Sequence, residues 1–366
     1  MSVSIELMAN EKTSVFLNMA AVGVADIFEG GSPPVEFLAK RCGEMLRANP
    51  WLAGRLKTID GQSHLVWDAE SSTEAAAELF QVVDVASLPG VADVNAVVDA
   101  INLNTGPDTP PLAAPLEAMV CKAGSLSIDK DVPIVRIRLV TDGKGFCVML
   151  TMSHSIGDGA VMYQFHAMLS NGAVPMDATR QNKNVIPSIK GHKDRIVGEH
   201  LFKEVTNAPQ PTSTFGFGAC YIDQNQIDAV KRAHVATPEA KFISTNDIVT
   251  SWFLATTKTD VGIMAWNTRK PCGVESTAAG NYIDTLAVDP QSMTPAGIRR
   301  IVNDTAPPLS LSPGPPRVGL VTNWTQHHTH IDLPGGCARA GSAARRPDTT
   351  SSLLDGVEGD AQLTFH

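Results

Sequence analysis

The chain has 366 residues, 43% of them apolar, with 29 Lys and Arg against 38 Asp and Glu and a net charge of −9. That length exceeds one ordinary core, so two domains or one very large one are expected, and 24 Pro with 29 Gly point to a turn-rich, mixed α/β chain rather than a bundle. The acidic balance, and the lack of any basic run interleaved with aromatics, exclude nucleic acid as a partner; an anionic cofactor would need a local basic patch.

Met1 to Thr13 is polar with no apolar leader core, and no apolar run is long enough to cross a bilayer, so a soluble, cytoplasmic protein without a membrane partner is expected. The six cysteines (Cys42, Cys121, Cys147, Cys220, Cys272, Cys337) form no CxxC pair and no metal spacing, which fits reduced thiols in the cytosol. Cys147 reads as a buried apolar residue in preference to a nucleophile.

Val15 to Ile27 is an apolar run that periodicity leaves open between strand and buried helix. Ser32-Pro33-Pro34 then starts a helix carrying Val35, Leu38, Ala39, Cys42, Met45 and Leu46 on one face and ending before Asn49-Pro50. The next residues, Trp51-Leu52-Ala53-Gly54-Arg55-Leu56, read as a helix exit into a strand. From 68 to 132 the chain is acidic and alanine-rich, then helical over Val91 to Ile101, then a proline-rich loop from Asn104 to Leu116; no chemistry stands out there.

Pro133 to Leu150 alternates apolar and polar on either side of Thr141-Asp142-Gly143-Lys144-Gly145, the pattern of a β-hairpin. Its second strand runs on to His154, and Ala160, Val161, Met162, Phe165, Met168 and Leu169 follow at helical spacing, with Asp158-Gly159 where a cap belongs. Such a strand-turn-helix junction holds His154 at a sheet edge, where an imidazole can move a proton near neutral pH. A packed histidine and a turn-forming aspartate are the plainer alternative.

Polar residues with Lys, Asn, Pro and Gly fill 170–213, apart from a short helix expected near Ile196 to Val205. A strand follows from Phe215 to Ile222, then a helix from Asp223 to His234. Ser244-Thr245-Asn246-Asp247 opens a helix whose inner face is Ile248, Trp252 and Ala255. Val261 to Trp266 is a strand leading to Asn267-Thr268-Arg269-Lys270-Pro271, after which Gly280-Asn281-Tyr282 precedes another strand to Val288. A helix from Thr294 to Val302, a proline-rich loop and a strand Val318 to Val321 end at Thr322-Asn323-Trp324. His327-His328-x-His330 lacks a further acid or thiol at a recognised spacing and reads as a polar loop, so no metal is expected.

His154-Ser155-Ile156-Gly157-Asp158-Gly159 resembles the HxxxDG motif of the CoA-dependent acyltransferase superfamily, and the whole set is similar to its BAHD-type members. Pro50-x-Leu52-Ala53-Gly54-Arg55-Leu56, Ser244-Thr245-Asn246-Asp247 with its Trp-containing helix, Arg269 with Gly280-Asn281, and Thr322-Asn323-Trp324 match further BAHD segments in the same order. Condensation domains carry two adjacent histidines, and Ser153 stands in place of the first. The family's DFGWG segment is reduced to Ile331-Asp332-Leu333-Pro334-Gly335-Gly336, which keeps an Asp and glycines but loses both aromatics.

The resemblance implies an α/β, two-domain chloramphenicol-acetyltransferase-like sandwich, each half a mixed, mostly antiparallel sheet with flanking helices. The halves would be residues 1–169 and 214–336, joined by a crossover over 170–213 and followed by a poorly ordered or divergent tail at 337–366. It implies a monomer that uses acyl-CoA as co-substrate, with no permanently bound cofactor, and acylates a hydroxyl or amine of a small molecule. His154 would be the general base, at the interface of the halves. Asp158 would turn away to Arg269 and fix the loop, while Thr322 and Trp324 would line the oxyanion or acceptor region. Lys241, just before the Ser244 string, is a candidate contact for the phosphates of CoA. Two other readings stand beside this one: a non-catalytic relative that keeps the fold for binding, suggested by the lost aromatics, and a condensation-type domain acting on carrier-bound thioesters, disfavoured by Ser153.

Overall fold

The computed structural model describes residues 1–30, 32–70, 72–102, 114–180, 195–197, 222–310, 316–323, 327, 329–335, 338–342 and 362–365. The chain forms two compact units. The first combines Met1–Asn184 with the later stretches Val274–Tyr282 and His327–Arg346, and the second holds Val185–Gly273, Ile283–Gln326 and Pro347–His366.

The apolar run near the amino terminus divides into two elements. Thr13 caps a short helix α1 (Ser14–Asn18) by accepting from Phe16 N, and strand β2 (Val22–Glu29) follows, after β1 (Ser2–Glu6). Helix α2 (Val35–Ala48) is the expected amphipathic one, with Leu38, Cys42, Met45 and Leu46 buried at i, i+4, i+7 and i+8. Asn49-Pro50 ends it: the chain passes through one 3₁₀ turn (Pro50–Ala53) into β3 (Arg55–Ile59) and β4 (Gln62–Asp68). Strands β1, β4 and β3 make a small antiparallel sheet.

The acidic, alanine-rich stretch contains helix α3 (Thr73–Leu79), capped by Ser72, and runs straight into β5 (Phe80–Asp84), a strand the sequence reading did not place. Helix α4 (Val94–Asn102) starts three residues into the helical segment expected over Val91 to Ile101 and runs one residue beyond it. The hairpin is β6 (Val135–Thr141) with β7 (Gly145–Met152). Asp142 shapes its turn by accepting from Lys144 N and Gly145 N at 2.8 and 2.9 Å, and Gly143 takes φ +78°, which an L side chain resists. These strands belong to a five-stranded sheet ordered Ala338–Ser342, β2, β7, β6, β5, antiparallel except for β5 with β6. Strand β7 is central and almost wholly buried, so it is a rigid delivery arm for the residues after Met152.

The helix that follows, Gly159–Met168, is buried nearly all round. Its His166 Nε2 lies 2.8 Å from Asp26 Oδ2 on β2, both fully buried, which ties the helix to the sheet beneath it.

In the second unit, the helix Gln224–Ala233 precedes the helix Thr245–Thr256, which starts with a complete capping box: Ser244 Oγ accepts from Asp247 N and the Asp247 carboxylate accepts from Ser244 N. Strands β8 (Val261–Asn267), β9 (Ile283–Val288) and β10 (Val318–Asn323), with Gln362–Phe365, form a mixed sheet in which β10 runs parallel to both its neighbours and β8 antiparallel to β9. Phe253, Leu254, Met264, Leu286, Val288, Ile298, Ile301 and Val321 pack together under the helix Pro295–Val302. A helix is expected near Ile196 to Val205, yet Ile196 bridges to Leu286 and Val197 N donates to Thr285 O, because the open edge of β9 offers the backbone its hydrogen bonds; 198–205 lie outside the described residues, as does all but the last residue of the expected strand Phe215 to Ile222.

Candidate active site

Strand β7 ends at Met152, two residues before the position expected, and Ser153 N is held by Ile134 O at 2.8 Å. The backbone then turns, Ile156 N donating to Ser153 O, and His154 sits in that turn with 6% exposure. Gly157 allows the turn to close, since a Cβ there would meet Met152 Sδ at 2.6 Å. Asp158 caps the following helix through Oδ1, which accepts from Val161 N at 3.1 Å, as the cap spacing suggests. Its Oδ2 accepts from Tyr282 N at 3.0 Å, so a single carboxylate joins the histidine turn to a segment 124 residues later.

Asn281 beside Tyr282 faces the imidazole. Its Nδ2 donates to the His154 carbonyl at 2.6 Å, and Oδ1 lies 3.1 Å from His154 Nδ1. A carbonyl only accepts, so the amide must present its NH₂ there and its oxygen to the ring; that oxygen also only accepts, so Nδ1 carries the proton. The neutral ring therefore keeps its lone pair on Nε2, which makes no hydrogen bond to a described residue. Phe16 packs against the ring at 5.4 Å between centroids. Burial lowers the imidazole pKa below its ordinary value, and its own carbonyl, Asp158, Asn281 and Glu11 act against that shift without cancelling it. A neutral imidazole at neutral pH, pinned on one nitrogen and open on the other, can accept a proton from a hydroxyl or amine and pass it on.

Two residues that the sequence reading passed over complete the support. Glu11 is fully buried; Oε1 accepts from Asn281 N at 3.0 Å and Oε2 from Met8 N at 3.0 Å. Arg180 pairs with Glu11 Oε2 and donates from Nη1 to Ile156 O at 2.6 Å. Glu11 lies in a stretch that reads as a polar terminus, and Arg180 in one that reads as linker, so no local periodicity marks either. Only their burial does.

Arg269 is in the second unit, 3% exposed, in the turn after β8, where its backbone N donates to Asn267 Oδ1. Thr322 is half-buried near the end of β10, and the adjacent Asn323 donates to Asn246 Oδ1 at 2.7 Å, which joins two of the family-like strings. Trp324 and His328 lie outside the described residues. Lys241 is exposed, three residues before the Ser244 cap. Ile331 and Leu333 are buried in the first unit, and Asp332 lies between them with its backbone paired to Ser170 and Asn171. Cys147 is buried in β7 and its thiol pKa is pushed up by burial and then by Asp26, so it has the packing role expected of it. Among the described residues no group of three His, Cys, Asp or Glu is arranged to hold a metal ion, and no helix is long and apolar enough to cross a membrane.

No protein-family model and no curated protein matches the chain. Solved structures do. F. sporotrichioides TRI101, in complex with coenzyme A and T-2, superposes with a TM-score of 0.57 at 15% identity over 99% of this chain and 90% of that one. F. graminearum TRI101 with coenzyme A and deoxynivalenol gives 0.56 at 12% identity over 89% and 85%. The polyketide synthase associated protein 5 of Mycobacterium tuberculosis gives 0.55 at 14% over 93% and 86%. The chain has their fold. The α/β, two-domain chloramphenicol-acetyltransferase-like class expected from the motifs is thus the class observed.

Proposed function

We propose that the protein is an acyl-CoA-dependent O- or N-acyltransferase with His154 as general base. The observation that carries this reading is the pinned imidazole: Nδ1 donates to Asn281 Oδ1, leaving Nε2 as a base on a ring whose pKa is lowered. Nε2 takes the proton of the acceptor hydroxyl or amine as its oxygen or nitrogen attacks the thioester carbonyl, and returns it to the departing CoA thiolate. The TRI101 structures that share the fold hold coenzyme A together with a small molecule, T-2 or deoxynivalenol, which supports an acyl-CoA donor and a small-molecule acceptor here.

In this reading Asp158 has a structural role. Both its oxygens already serve backbone N–H groups, and a bridge to Arg269 would complete its surroundings. In the same reading Thr322 and Trp324 would line the oxyanion or acceptor region, and Lys241 would be the contact for the phosphates of CoA. The second reading, a binding protein that has lost catalysis, draws on the missing aromatics of the segment 331–336.

A thioester-cleavage assay with free-thiol detection, run on wild type and His154→Ala across a panel of acyl-CoAs, separates the two. Turnover in wild type that falls by roughly 10²- to 10⁴-fold in the variant supports a base. Equal, negligible rates in both favour binding alone.

A further inference from the structure

Beyond the base itself, we propose that the buried Glu11–Arg180 ion pair is the positioning device of the site, holding Asn281 against His154 so that the imidazole keeps its proton on Nδ1. The pair is 0% and 3% exposed by side chain; besides the Met8 N–H that Glu11 Oε2 accepts, its outer contacts end on the histidine turn and on the segment facing it. Glu11 Oε1 fixes Asn281 through its backbone N, while Asn10 Nδ2 donates to the Asn281 carbonyl at 2.6 Å, so the amide is gripped from both sides of its own residue. Arg180 grips the other wall through the Ile156 carbonyl.

Arg180 is itself set in place by the segment Asn49 to Trp51. Asn49 Oδ1 accepts from Ala178 N at 2.7 Å, Asn49 Nδ2 donates to Met176 O at 2.9 Å, and Trp51 Nε1 donates to Ala178 O at 3.2 Å. Ala279 N then donates to Thr179 O, and Arg180 bridges to Ala279, which draws the 278–282 stretch alongside. Asn49 and Trp51 thus have a function that their position after a helix does not reveal.

A second effect is electrostatic. The charged groups facing His154 are Asp158 from its own turn and Glu11 from the loop after β1, with Arg180 behind Glu11; the Glu11 carboxylate raises the affinity of the ring for a proton. A bystander ion pair would leave the ring unchanged when neutralised. A positioning pair would not.

The inference rests on His154 being the base, but its test needs no substrate. In protein labelled with ¹⁵N-histidine, NMR resolves which ring nitrogen of His154 is protonated and at what pH the ring titrates. Wild type is expected to show the Nδ1–H form. Glu11→Gln is expected to give mixed tautomers and a lower titration midpoint, and Arg180→Gln mixed tautomers, whereas Arg180→Lys should restore much of the wild-type spectrum. Where turnover is measurable, the two Gln variants should lose about tenfold in kcat with little change in KM, because orientation of a base contributes to the chemical step. Should a single variant fail to fold, Glu11→Gln combined with Arg180→Gln removes both charges together and is read in the same way. Wild-type tautomer and midpoint in the folded Gln variants would overturn the inference, as would an Nε2–H ring in wild type. Absence of acyl transfer with the predicted spectra would overturn the functional reading alone.

Discussion

As the proposed base, His154 acts only while neutral, and the direction of its pKa shift decides how acid affects it. The native value lies below the ordinary imidazole value of about 6.5 because burial disfavours the cation. The base form should therefore persist at pH 6.5, and kcat/KM should fall on a single acid limb whose midpoint lies below that value; a midpoint above it would contradict the geometry. Stability follows the same sign. An unfolded chain takes up this proton before the native one does, so the contribution of His154 is present above about pH 6.5 and is lost as pH falls from there through the native value. The glycine before Asn281 offers an independent check. Gly280 has φ +133°, and a Cβ there would come within 2.6 Å of Met8 Cε. Gly280→Ala should cost more than about 1 kcal/mol in a denaturant titration and lower kcat by disturbing the next residue. At this scale the sequence is legible only in part. His154 and Asp158 announce themselves through strand, glycine and cap, whereas Glu11 and Arg180, 169 positions apart, find one another only in the fold.

Among the elements, those with strong local signals are where periodicity puts them. Helix α2, the β6–β7 hairpin and the helices capped by Asp158, Ser244 and Thr294 all have an apolar face and a start signal within a few residues. Val15 to Ile27 was ambiguous because it holds two elements, α1 and β2, with no proline or glycine pair to divide them. Strand β5 carries no local signal, since it follows α3 without a turn and alternates only weakly. The capping box can be tested. Asp247, 1% exposed, accepts from Arg299 Nε at 2.8 Å and Nη2 at 2.6 Å besides closing the box, so it staples the helix Thr245–Thr256 to the helix Pro295–Val302. Ser244→Ala should cost about 1 kcal/mol, and Asp247→Ala about 3–5 kcal/mol because it strands a guanidinium. Thermal unfolding of the two variants reads the difference; equal losses would show that the cap, not the ion pair, dominates. Asp158→Asn keeps a capping oxygen but loses the charge, so the proposed bridge to Arg269 predicts a clear drop in melting temperature. An unchanged melting temperature would remove that bridge.

For the whole molecule, linear order is a poor guide to neighbourhood. The stretches 274–282 and 327–346 belong to the first unit, although the sequence before and after them builds the second, and no composition shift marks either return. The polar first residues are another example. Deleting 1–13 removes β1 from its sheet and takes Asn10 and Glu11 away from Asn281, leaving the Arg180 guanidinium buried without its carboxylate. The truncated chain should lose about 3–5 kcal/mol or more by calorimetry, and its turnover with it; a truncated protein of wild-type stability and rate would sink the account of the site given above. One practical consequence arises from the placement of sulfur. Cys42, Cys121 and Cys147 are buried, and desolvation pushes up their thiol pKa values and that of Cys272, so at neutral pH these four side chains hold very little of the anion that attacks disulfide dyes. In the proposed thioester assay these four thiols should therefore add little colour to a disulfide dye while the protein is folded, and a chromophore burst on adding denaturant would count them afterwards.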